Sequence, residues 1–266
     1  YAGTVDANRL WRNPMSVSAA EAAALHQAAR QMRRRWHAWQ DEQVFPHLDQ
    51  ARLWPVGPAG LFAAAELHAP APDRLHLIAL ESLGQDQEHL AYFGELRAAA
   101  LGLLASAATP GHLLTMLNEL LPFAEAVPVA AAWAAVWDAA EEMLVWSAAG
   151  WGAAFRLPRD APWQRLAGMG PILGLLPNAH YEEHQLNWRP GERLFIGSLA
   201  YCLQTDEPGP TPPVSCPPGR FELEVWLHEH RGDSPRALIM SLSDAWASSG
   251  AAPAAPFAWT LEARPS

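Results

Sequence analysis

The sequence is short of cysteine, of charge and of basic residues, and each shortage closes off a set of functions. Two cysteines in 266 residues, Cys202 and Cys216, give no disulfide framework. They read as two free thiols, which suit a reducing compartment, so a cytoplasmic protein is expected. Only 17% of residues are charged, and 18 basic against 28 acidic side chains leave a net charge of −10. Nucleic acid and anionic membranes both need a basic footprint, so neither is expected as a partner. The longest uncharged stretch, Ala98 to Asn118, is broken by Thr109-Pro110-Gly111-His112 and reads as two helices rather than a span, so no membrane insertion is expected. No signal peptide is read at the start, and no G-x-S-x-G elbow, P-loop or paired C-x-x-C is found.

What the chain has is apolar material. Half of its residues are hydrophobic, enough for a core and too much for a disordered chain. Its length suggests one large domain plus an appendage. Thirteen tryptophans are scattered without a repeat.

Residues 17–45 carry a helical pattern. Leu25, Ala29, Met32, Trp36 and Trp39 step by four, three, four and three, which makes a seam on one helix face. That seam packs on the chain's own core or forms a homodimer; about two heptads do not separate these readings. Pro46 ends or kinks the helix. The division expected is a helical linker over 1–50 and a main domain over 51–266.

Within the main domain, Leu61 to His68 and Arg74 to Glu81 read as strands joined by Ala69-Pro70-Ala71-Pro72-Asp73. A helix is expected from about Asp86 to Ser106. A second opens after Thr109, an N-cap, with Pro110 at the first helical position. Strands follow over Val127–Trp137, Met143–Ser147, Trp151–Leu157, Glu183–Trp188 and Arg193–Leu199. After a Pro-rich loop from Glu207 to Pro218, two helices (Phe221–His230, Pro235–Ser248) and a last strand (Phe257–Ala263) are expected. This order indicates α+β rather than a βαβ repeat.

Several local words in that order resemble the SpoIIE-type branch of the metal-dependent protein phosphatase (PPM) family. Met143 to Gly150 is similar to the family's strand ending in A-G-H. Gly168-Met169-Gly170-Pro171-Ile172-Leu173-Gly174 resembles its G-x-P-L-G segment, and Trp188 to Ile196 its L-x-P-G-D-x-L-L-L. Thr109-Pro110 followed by Leu117-Asn118 matches S-P-x-x-L…L-N, and Ile78 to Gly84 sits where the family writes G-D-V-S-G-H-G. The likeness runs over roughly residues 50 to 266. It implies an α-β-β-α sandwich of two antiparallel sheets, preceded here by an N-terminal helix. It also implies hydrolysis of phosphoserine or phosphothreonine by water bridging two Mg²⁺ or Mn²⁺ ions.

Two dications about 4 Å apart repel by roughly 17 kcal/mol at an effective dielectric of 20, and carboxylates must offset that. The resemblance places the four acidic positions on Gly57-Pro58-Ala59, Glu81, Leu199-Ala200 and Phe257-Ala258-Trp259-Thr260. Only Glu81 is acidic. No Asp or Glu occurs between Asp49 and Glu66, between Glu192 and Asp206, or between Asp244 and Glu262, so an alignment slip finds no replacement. The expectation is a pseudophosphatase with no catalytic residue and no cofactor. Its former metal cleft would comprise Ala59, Glu81, Leu199, Ala200, Phe257 and Ala258, with Leu199, Phe257 and Trp259 filling it. Glu81 with Asp86 is the one weak metal candidate. The alternative is an active phosphatase rebuilt around Glu81, with Mg²⁺ or Mn²⁺.

Other constellations are weaker. His180-Tyr181-Glu182-Glu183-His184 lacks the order of H-E-x-x-H and reads as a loop entering a strand, where i and i+4 lie about 13 Å apart. His228-Glu229-His230 reads as a helix-end cap. The partner implied by the resemblance is a regulatory protein of the anti-sigma-factor-antagonist kind. A third reading makes the 17–45 helix a dimerising signal relay.

Overall fold

The computed structural model describes residues 47–53, 63–84, 87–121, 129–166, 168, 170–198, 223–248 and 258–264. All of them fall within the unit Val44–Ser266. The candidate dimer seam, and with it the helix expected over 17–45, lies outside the described residues.

Ten strands and four helices are described: β1 Leu48–Leu53, β2 Ala63–Ala71, β3 Arg74–Ser82, α1 Gln87–Leu104, α2 Pro110–Glu119, β4 Ala130–Asp138, β5 Met143–Ala149, β6 Ala154–Leu157, β7 Gln164–Arg165, β8 His184–Asn187, β9 Arg193–Gly197, α3 Leu223–Glu229, α4 Pro235–Ser248 and β10 Ala258–Ala263. They form two five-stranded sheets in the orders β1-β10-β9-β6-β7 and β2-β3-β4-β5-β8. Every strand pair in both is antiparallel. The α-β-β-α sandwich expected from the resemblance is the fold observed.

Strand alternation builds three apolar layers. Leu75, Leu77 and Ala79 of β3, Trp133, Ala135 and Trp137 of β4, Leu194 and Ile196 of β9, and Trp259 and Leu261 of β10 meet between the sheets. Ile78, Leu80, Ala132 and Ala134 point the other way, onto Phe93, Leu96 and Ala100 of α1 and Leu113, Leu114 and Leu117 of α2. Phe155, Phe195 and Ala258 face Leu227 of α3 and Leu238 and Leu242 of α4. The alanine-rich strands and the many tryptophans are two halves of one packing solution. Trp133 is flanked in register by Ala79 and Ala148, so this large ring has small neighbours to interdigitate with.

Three expectations are corrected. Strand β1 was not anticipated: Leu48–Leu53 pairs along β10, with Leu48 opposite Ala263, because its alternation is only six residues long. Strand β7 is two residues long and carried no pattern. The first hairpin turns more tightly than read, since β2 runs on to Ala71 and only Pro72-Asp73 reverse the chain, with Ala71 opposite Arg74.

The words of the resemblance acquire physical causes. Arg189-Pro190-Gly191-Glu192 is a hydrogen-bonded turn, Glu192 N–H donating to Arg189 O at 3.0 Å. Gly191 has φ +80°, the region a side chain avoids, and Pro190 precedes it, the pairing a type II turn requires. Thr109 caps α2 by accepting from His112 N–H at 3.3 Å.

Candidate functional site

The place where the resemblance puts a metal centre is the end of the inter-sheet layer at the C-terminal ends of β3 and β9. Glu81 continues the inward face of β3 set by Leu75, Leu77 and Ala79. Ser198 continues the inward face of β9 set by Leu194 and Ile196. The two meet across the sheets: Ser198 Oγ donates to Glu81 Oε1 at 2.5 Å. Glu81 is half-buried and Ser198 is buried. After Glu81, β3 ends at Ser82, whose Oγ donates to Gly84 O at 3.0 Å, and the chain leaves the sheet at Leu83, whose N–H donates to Val129 O at 3.1 Å. Gly84 then lies under the His89 ring; a Cβ there would sit 2.2 Å from Nε2.

A pair of hard dications needs several oxygen ligands, mostly anionic. Among the described residues the donor set does not fit that requirement. Among the described residues no three His, Cys, Asp or Glu side chains group to hold a metal ion. Glu81 has one carboxylate oxygen engaged by a neutral hydroxyl from the opposite sheet. Trp259, not Ala258, is the β10 residue whose side chain points between the sheets: Ala258 packs outward with Phe155 and Leu242. Trp259 is fully buried, and its Nε1 donates to Gln50 Oε1 at 3.3 Å. Ala59, Asp86, Leu199, Ala200 and Phe257 lie outside the described residues.

A second polar centre, which sequence reasoning missed as a centre, ties the resemblance's words together. Asn118 is completely buried. Its Nδ2 donates to Leu176 O at 3.0 Å, while Oδ1 accepts from Gly174 N–H at 3.0 Å and from Tyr181 Oη at 3.1 Å. Burial pushes the Tyr181 phenol up to about 12, so it remains a donor. The loop so held runs beside the sheet: Leu173 exchanges backbone bonds with Ala130, and Gly150 N–H donates to Gly170 O at 2.9 Å. Gly170 has to be glycine on steric grounds, for a Cβ would lie 2.3 Å from Ala148 O. Glu183 is exposed, and its Oε1 accepts from Gly111 N–H at 2.9 Å, placing a carboxylate on the N-terminus of α2.

The other constellations are structural. His180 is exposed, and His184 begins β8 with its ring packed on Trp146 at 5.3 Å, so the loop-into-strand reading holds. His230 follows α3, stacks on Trp226 at 4.6 Å, and sits 2.8 Å from Asp233 through Nδ1. Ser241 Oγ lies 3.3 Å from both ring nitrogens of His230. An oxygen equidistant from both cannot lie along the Nε2 lone pair, so this is no activated nucleophile.

The comparisons agree with the fold. The family described as stage II sporulation protein E (SpoIIE) matches residues 71–198, the span from the β2–β3 turn to Ser198. A comparison with curated protein sequences found no match. The SiaA-PP2C domain of Pseudomonas aeruginosa is similar over 96% of this chain and 100% of its own, with 14% identity and a TM-score of 0.68. The PP2C phosphatase domain of SpoIIE from Bacillus subtilis, solved with a fragment of its regulatory domain, is similar over 82% of this chain and 62% of that one, with 9% identity and a TM-score of 0.64. A structure of RsbU and RsbW domains from Mycobacterium tuberculosis is similar over 83% of this chain, with 16% identity and a TM-score of 0.63; this chain spans 61% of it. Residues 71–198 thus match the SpoIIE family, and the fold is that of solved PP2C phosphatase domains.

Proposed function

We propose that this phosphatase-like domain is catalytically silent and acts by binding a regulatory protein. The observation that carries the reading is the Glu81–Ser198 hydrogen bond. Where the resemblance puts the metal centre, the described residues supply one carboxylate and one hydroxyl, a set that leaves the repulsion between two dications uncompensated. The mechanism of such a domain is recognition. One similar structure joins RsbU and RsbW domains in a single protein and another comes from the bacterial stressosome, described as a modular system that controls secondary messenger signalling, which supports a regulatory partner, here one of the anti-sigma-factor-antagonist kind. On this reading the protein acts in the cytoplasm, the linker expected over 1–50 ends before β1, and the seam at Leu25, Ala29, Met32, Trp36 and Trp39 is a dimer contact.

The test is turnover. Purified full chain with excess Mn²⁺ is expected to hydrolyse a chromogenic phosphate ester at the rate of buffer alone. Metal-dependent turnover that Glu81→Ala abolishes would instead establish the alternative, an active phosphatase rebuilt around Glu81.

A further inference from the structure

Independent of the cleft, the helix side of the second sheet carries a buried titratable group with no part in the proposed recognition. His76 on β3 is 5% exposed, and its Nδ1 lies 2.7 Å from Leu104 O. Leu104 is the last residue of α1, so this carbonyl is one of those a helix end leaves without an internal partner. Facing a carbonyl, Nδ1 must carry the proton, and in the neutral ring Nε2 is then bare. Nε2 is buried and has no hydrogen-bond partner.

We propose that His76 is a proton-sensitive latch: neutral, it fastens the C-terminal turn of α1 to β3, and protonated, it releases that turn. A second proton would put a charged N–H into a buried position without an acceptor, which costs more than the single carbonyl bond returns. The surroundings oppose the charge. From β2, the His68 ring stands edge-on at 6.4 Å, and Glu66 is engaged by Arg97 of α1 at 2.6 Å. From β3 itself, Arg74 lies two residues away. From β4, Asp138 Oδ1 accepts from the N–H groups of Ala140 and Glu141. Burial first, then the positive charge of Arg74 and His68, lowers the His76 pKa, while the Leu104 bond partly restores it.

The sign follows from linkage. With the folded value depressed below the ordinary 6.5, the released state binds the extra proton, so the latch weakens as pH falls through about 6.5. One proton permits at most about tenfold in the opening equilibrium per pH unit.

Amide exchange of the full chain, corrected for intrinsic rates, tests this. For the turn around Leu103–Ala107, the opening constant is expected to rise by up to about tenfold from pH 7.5 to 5.5. His76→Gln should keep a donor for Leu104 O and lose the pH dependence, and His68→Gln should retain it. A rise of less than about twofold in the wild type, or the full rise in His76→Gln, would overturn the proposal. A second reading needs no variant: the His76 ring followed by NMR should titrate below 6.5, and a midpoint at or above 6.5 would equally overturn it.

Discussion

Trp133→Ala is expected to cost about 3–5 kcal/mol of folding stability, the cost of removing a fully buried large aromatic. Trp133 is 0% exposed at the middle of the inter-sheet layer. Its cross-strand neighbours are Ala79 and Ala148, too short to reach into the void, so the site cannot collapse around the deletion. A domain of this kind holds roughly 5–15 kcal/mol in all, so a large share would be lost. Trp133→Phe should cost far less, because the indole Nε1 is buried without a hydrogen-bond partner and its removal relieves an unmet donor. Urea unfolding of both variants checks the pair. A loss below about 1 kcal/mol for the alanine variant would mean the layer is not packed as described.

Asn118→Ala should be the most damaging polar substitution, at about 2–4 kcal/mol. One side chain satisfies Leu176 O, Gly174 N–H and Tyr181 Oη together, and its loss strands the Tyr181 hydroxyl in a buried setting and the other two in partly buried ones. Tyr181→Phe removes only one donor and should cost about 1 kcal/mol. The two substitutions share a hydrogen bond, so the double variant should fall short of the sum by at least about 0.5 kcal/mol. Additive losses measured by urea unfolding would show that Asn118 and Tyr181 act separately.

How much of this was legible in the sequence follows the physics of each signal. The second sheet and its helices could be read because Arg74–Ser82 and Ala130–Asp138 are long and apolar, and because Thr109-Pro110 announces a helix start. β1 could not, since its partner β10 is some two hundred residues away and local alternation over six residues is faint. The family words were visible as words, but their cause was not. Only in three dimensions does Asn118 meet Gly174 and Tyr181, or Glu183 meet Gly111, because these contacts span 56, 63 and 72 residues. At the cleft, the sequence located Glu81 from its place in a motif. It could not show that Ser198 would take up its carboxylate from the opposite sheet, since neither residue carries a pattern pointing to the other.

If the cleft end holds no binuclear metal centre, calorimetry of Mn²⁺ added to the full chain is expected to show no saturable uptake of two ions per chain at millimolar Mn²⁺. Two saturable sites, lost together in Glu81→Ala, would contradict the absence of that centre.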